Sequence, residues 1–144
     1  MQPATAPRDT MQPALVIPAE LRILLVDDSL PLQIRLKELL TESGIMRVTA
    51  TAESEQDANR LIDSETFDVM VIDVELRPGS GINVVRHARA DQVRGPRPLI
   101  IVLTNYALDI VRSRSITAGA DYFLDKMREF DRLYPLILDY KRAN

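Results

Sequence analysis

Four short apolar runs in this chain each lead into residues that can handle a phosphate or a metal ion. The run over 21–26 leads into Asp27 and Asp28, and the run over 69–72 leads into Asp73. The run over 99–103 leads into Thr104, and the run over 122–124 leads, after one residue, into Lys126. If these runs are parallel strands of one sheet, their polar endings share one edge, where open α/β sheets place ligands. Clustered carboxylates repel and raise each other's pKa, so such a group makes sense around a divalent cation. Its hard oxygen donors suit Mg²⁺, which keeps several waters and accepts phosphate oxygens as further ligands. A metal-shielded aspartate is also a nucleophile toward phosphorus and, being ionised already, needs no general base. Thr104 can donate a hydrogen bond to one phosphoryl oxygen, and Lys126 can balance another as a point charge. These parts fit in-line phosphoryl transfer onto Asp73, in which positioning and charge neutralisation supply most of the catalysis.

Each residue has a plainer reading when taken alone. Asp27 and Asp28 are good helix caps, Thr104 can cap the helix after it, and a lone lysine is usually a solvated charge. The combination at successive run ends, in this order, is far more specific than any member.

Elements that would position these groups alternate along the chain. Strands are expected over 22–26, 47–51, 68–72, 98–103 and 121–124. The first helix carries Leu32, Leu36, Leu39 and Leu40 on one face. Asp28 or Ser29 can cap it, Pro31 fits its first turn, and Ser43-Gly44 ends it. Further helices are expected over 53–62, from the turn at 78–81 to about residue 90, and over 107–117. Pro135 is acceptable only in a first turn, so the last helix should start near Asp131 and bury Leu133, Ile137 and Tyr140. Strands alternating with helices through right-handed crossovers give a parallel sheet covered on both faces.

Composition narrows the function. The 144 residues suit one domain with a real core. Residues 1–20 hold four of the nine prolines and repeat MQPA, the pattern of a flexible arm ahead of a domain over 21–144. There are no cysteines, which excludes disulfides and thiolate metal sites. No apolar run reaches the ~20 residues of a membrane span, and no signal-peptide pattern opens the chain, so a cytoplasmic protein is expected. A net charge of −3 argues against a nucleic-acid-binding module.

The segments LRILLVDDS, VMVIDV, IIVLT and AGADYFLDK, with Asp27-Asp28, Asp73, Thr104 and Lys126 in them, resemble the receiver domain of two-component response regulators, the CheY-like family. The resemblance spans about 21–142. It implies a doubly wound, flavodoxin-like α/β fold with a five-stranded parallel sheet in the order 2-1-3-4-5. It implies that Asp73 accepts a phosphoryl group from a phosphohistidine on a sensor histidine kinase or a histidine phosphotransfer protein. Mg²⁺ would be held by Asp28, Asp73 and the backbone carbonyl of Glu75, with Asp27 acting through water. Thr104 and Lys126 would contact the phosphoryl group, and Phe123 would be the aromatic switch. The switched surface is expected on the helix at 107–117, the strand at 121–124 and the last helix, for a downstream protein that the sequence does not name.

This chain departs from the family pattern in places. Met127 follows Lys126 where proline is usual, which makes a cis peptide improbable there and frees the loop over 127–130 to take its own path. Arg77 stands four residues past Asp73, with Pro78 after it, and Asn105 follows Thr104. Glu75 and Tyr106 occupy positions that tune phosphoryl lifetime in the family. His87, the only histidine, is expected on a helix surface rather than in phosphotransfer. The expected protein is a stand-alone receiver, monomeric or weakly dimeric, acting in two-component signalling or a phosphorelay. It would catalyse only its own phosphorylation and dephosphorylation. The rivals are a receiver-like interaction module that is never phosphorylated, and an aspartyl-phosphate hydrolase. The run over 71–75 is loosely similar to haloacid-dehalogenase-type phosphatases, but Glu75 stands where they have a second aspartate.

Overall fold

The computed structural model describes residues 20–90 and 96–144. Strands and helices alternate as β1 (Leu21–Val26), α1 (Leu30–Thr41), β2 (Met46–Ala52), α2 (Glu55–Ser64), β3 (Val69–Ile72), α3 (Gly81–Ala90), β4 (Leu99–Thr104), α4 (Asp109–Ala118), β5 (Tyr122–Asp125) and α5 (Leu133–Ala143). All strand pairs are parallel, in one sheet of order β2-β1-β3-β4-β5. This is the doubly wound order expected above. The arm expected over 1–20 lies outside the described residues except for Glu20.

Burial on both faces explains the composition of the central strands. Every residue of β3 and β4 is buried, as strands covered by helices on both sides require. Alternate side chains sort to opposite faces. Leu24, Val26, Met70, Ile72, Ile100, Val102 and Phe123 pack beneath α2, α3 and α4. Ile23, Leu25, Val71, Ile101, Leu103 and Leu124 pack with Leu36 and Leu40 of α1 and Leu133 and Ile137 of α5. Between β1 and β2 the register shifts: Val48 faces Ile23 but Ala50 faces Leu24. Thr49 is therefore an extra residue on β2, a bulge in the ladder.

Several element boundaries differ from the sequence expectation. The buried stripe of α1 is Gln33, Leu36 and Leu40, while Leu39 is exposed. Helix α2 begins at Glu55 rather than 53, because the Ser54 hydroxyl accepts the Asp57 N–H at 3.1 Å and caps it. Helix α4 begins at Asp109 rather than 107. Asp131 does not cap the last helix; Phe130–Arg132 form a 3-10 turn, and α5 starts at Leu133 with Pro135 in its first turn.

The edge of the sheet opposite the strand C-termini is closed by Arg89. Its guanidinium donates to the carbonyls of Gly119 and Pro98 at 2.9 Å each, and to Asp121 at 2.8 Å. Asp121 in turn accepts the Ile100 N–H at 2.9 Å. Losing this half-buried guanidinium takes a charged donor away from the Gly119 and Pro98 carbonyls as well as from Asp121. Arg89→Ala should lower unfolding free energy by about 3 kcal/mol in urea titrations, far more than truncation of exposed Arg60, which should change it by less than about 1 kcal/mol.

Candidate functional site

The C-terminal edge of the sheet gathers the residues singled out from the sequence. Val26 and Ile72 face each other across β1 and β3, so Asp27 and Asp73 emerge side by side, and the Asp73 N–H donates to the Val26 carbonyl at 2.8 Å. Both are nearly buried, at 2% and 6% exposure. Carboxylate oxygens of Asp27, Asp28 and Asp73 lie within 4.8 Å of one another. The loop after Asp73 stays close because α3 begins with glycine. A Cβ on Gly81 would fall 1.9 Å from the Asp73 carbonyl oxygen, so no larger residue fits without displacing that backbone.

The Lys126 ammonium sits between two of the three carboxylates. It donates to Asp27 Oδ2 at 2.7 Å and to Asp73 Oδ2 at 2.8 Å. The remaining oxygens are also engaged: Asp27 Oδ1 accepts the Ser29 N–H at 2.8 Å, and Asp73 Oδ1 accepts the Glu75 N–H at 3.1 Å. Asp28 faces the Arg77 guanidinium, with Nε at 3.8 Å from Oδ2. Burial pushes the Asp27 carboxyl above its ordinary pKa, outweighing the Lys126 hydrogen bond that pulls it down. For Lys126, burial works to lower the pKa, but the paired hydrogen bonds and charges of Asp27 and Asp73 prevail and raise it.

Lys126 reaches this position without the proline usual after it. Arg77–Pro78 is the cis peptide bond among the described residues, and the bond after Lys126 is trans. The turn is held instead by its own polar groups. Asp125 Oδ1 accepts the Met127 N–H at 2.8 Å, and Glu129 Oε1 accepts the Asp125 N–H at 3.1 Å. The Lys126 N–H donates to the Thr104 carbonyl at 2.9 Å, tying this turn to β4. Thr104 is fully buried, with its hydroxyl accepting the Tyr106 N–H at 3.1 Å. Phe123 is turned inward, and the Arg112 guanidinium lies 4.8 Å from its ring centre.

Other residues fall elsewhere. Glu75, Asn105 and Tyr106 are exposed beside the site. His87 is remote from it and joins α3 to α2 through Asp63 at 2.7 Å. Sequence reasoning missed Gln33, whose amide donates to the Asp27 carbonyl at 2.5 Å. Its spacing before Leu36 and Leu40 was the available signal, since it places an amide on the buried stripe.

The chain belongs to the response regulator receiver domain family, whose model matches residues 23–138. It is a receiver domain of two-component signalling, a class in which phosphorylation and Mg²⁺ are typical. Solved structures agree on the fold. A receiver domain of a putative response regulator NarL from Mycobacterium tuberculosis is 20% identical, with a TM-score of 0.77 over 88% of this chain and 100% of that one. A LuxR-family two-component response regulator from Aurantimonas sp. SI85-9A1 is 25% identical, with a TM-score of 0.77 over 88% of each chain. A Burkholderia pseudomallei response regulator with a phosphorylated aspartic acid, calcium ion and citrate is 26% identical, with a TM-score of 0.66 over 74% of this chain and 60% of that one.

The raised pKa of Asp27 sets a sign for stability. A carboxyl that holds its proton more tightly when folded stabilises the fold below its unfolded pKa, and that contribution is lost as pH rises through the folded value. Asp27→Asn removes this dependence. Without Mg²⁺, the stability of wild type relative to Asp27→Asn should therefore decline as pH rises above the ordinary carboxylate range in urea titrations, where a flat difference would contradict the assignment.

Proposed function

We propose that Asp73 is the phosphoacceptor and that a phosphohistidine, on a sensor histidine kinase or a histidine phosphotransfer protein, is the donor. The observation that carries this reading is the Lys126 ammonium on Asp73 Oδ2, beside two further carboxylates and above the end of β4 where Thr104 stands. An Asp73 oxygen attacks phosphorus as the phosphorus–nitrogen bond breaks, and the imidazole leaves with the electron pair. Lys126 exchanges its Asp73 contact for a phosphoryl oxygen and keeps Asp27 as its anchor. The Thr104 hydroxyl donates to another phosphoryl oxygen. The likeness to a structure with a phosphorylated aspartic acid supports the same reading.

The donor set fits Mg²⁺, since all three side chains offer hard oxygens close together. Asp28, Asp73 and the Glu75 carbonyl would hold it, with Asp27 through water. When bound, the ion neutralises charge that builds up as phosphorus changes partners. The chain's own residues supply the rest of the positioning.

Phe123 is the proposed switch. Removing the Thr104 hydroxyl from its loop contact changes the space beside the ring, and the change is read on α4, β5 and α5. That face carries exposed Leu108, Ile110, Ile116 and Tyr122, apolar groups suited to a protein partner or a weak homodimer. Output through this face, and a cytoplasmic setting, complete the proposal; no helix among the described residues is long and apolar enough to cross a membrane.

Incubation with acetyl phosphate and Mg²⁺ should add one acid-labile phosphoryl group, seen by intact mass. It should be absent in Asp73→Asn and without the metal. No modification, and no amide shifts with beryllofluoride, would sink the phosphoacceptor reading and favour a silent interaction module. Turnover of phosphate esters would point to a hydrolase instead. A second outcome concerns Arg77, an exposed cation that competes for Asp28. Arg77→Ala should tighten Mg²⁺ binding by about two- to threefold at low salt, an effect that fades as salt is added.

A further inference from the structure

On the outer side of the loop after Asp73, the first residue of α2 makes contacts that the phosphoacceptor chemistry does not use. The Glu55 N–H donates to the Pro78 carbonyl at 3.1 Å. Its Oε1 accepts the Ser80 N–H at 3.0 Å and the Asn83 side-chain amide at 3.2 Å. The packing is close: Gly79 has φ +108°, and a Cβ there would lie 2.3 Å from the Glu55 Cβ. Glycine is thus demanded twice, by backbone conformation and by the side chain laid against it.

Ser80 is the cap of α3. Its hydroxyl accepts the Ile82 N–H at 3.2 Å, and its carbonyl accepts the Val84 N–H at 3.3 Å. In a capping box, the residue three positions on reaches back to the cap's own N–H. Here that residue is Asn83, and its amide donates to Glu55 instead. A carboxylate from a different helix therefore completes the cap, where the α3 dipole also favours negative charge. Ser80 is bridged to Glu75 in an antiparallel pair, and the Glu75 N–H donates to Asp73 Oδ1. A continuous set of contacts runs from Glu55 through Ser80 and Glu75 to the acceptor carboxylate.

We propose that Glu55 is a positioning residue for the acceptor loop: by capping Ser80 from α2 it fixes Glu75, and with it the loop's contribution to a divalent cation. The cation-binding part rests on the phosphoacceptor reading; the capping part does not. Reach, not charge, is what the role requires. Glutamine keeps an acceptor at the same distance, whereas aspartate keeps the charge but is one methylene short.

The test compares the full chain with Glu55→Gln, Glu55→Asp and Glu55→Ala, using hydrogen exchange of the Ser80 and Glu75 amides without metal, and calorimetric titration with Mg²⁺ alone. Glu55→Ala and Glu55→Asp should speed Ser80 exchange by about tenfold, the loss of one hydrogen bond, and weaken Mg²⁺ binding by about tenfold, the lower end for outer partners of a metal site. Glu55→Gln should stay within about twofold of wild type on both, by the same logic. If Glu55→Ala does not fold, the contrast between Asp and Gln still decides. Equal weakening of Mg²⁺ binding in Gln and Ala would mean a charge effect and overturn the proposal. So would unchanged exchange, or faster exchange with unchanged Mg²⁺ affinity. A wild-type chain that binds no Mg²⁺ would sink the phosphoacceptor reading and, with it, the cation-binding half of this one.

Discussion

Asp27 and Asp73 carry like charges at the ends of adjacent strands, almost out of contact with water, and the Lys126 ammonium between them is what makes that arrangement tenable. At 2.7 and 2.8 Å it serves both carboxylates from the end of a third strand. The sheet order is what brings these groups together. β1 and β3 must be neighbours for the two aspartates to meet, and β5 must lie beyond β4 for the lysine to reach across the crevice. Charge that is balanced within the protein is also charge that can be rebalanced. A phosphoryl group or a divalent cation entering here would change the partners of a group already tied to three strands.

The fold was legible because its central strands are buried on both sides. Apolar runs such as VMVI and LIIVLT admit few other placements, and the polar residue ending each run marks its C-terminal end. Asp27, Asp28, Asp73, Thr104 and Lys126 were legible for the same reason, each being an abrupt change of character after an apolar run. Gln33 and Glu55 were not. Spacing puts Gln33 on the buried stripe but does not reveal the strand end it meets there, and Glu55 contacts a loop 25 residues away. Sequence periodicity reports which face a residue shares with its own helix, not which foreign backbone group lies opposite. The start of the last helix failed similarly. Asp131 has the chemistry of a cap, but the 3-10 turn at 130–132 left it no cap to make.

The lysine turn shows how one geometry can be reached by different means. Asp125 and Glu129 close the chain around Met127 with side-chain hydrogen bonds, and the result still delivers the ammonium to both aspartates. Met127 itself is left 82% exposed, directly beside the site. Whatever approaches Asp73 therefore meets a flexible thioether at the rim, a surface that adapts to the shape of a partner more readily than a rigid ring would.

The bulge between β1 and β2 bears on a different matter. β2 is one of the two edges of the sheet, seven residues long, and so a template on which another chain could add a strand. Thr49, inserted opposite no partner, interrupts the ladder midway and twists the strand. The opposite edge, β5, is only four residues long. Neither edge offers a long, flat, regular row of backbone groups. Both edges therefore resist the addition of a strand from another copy of the chain.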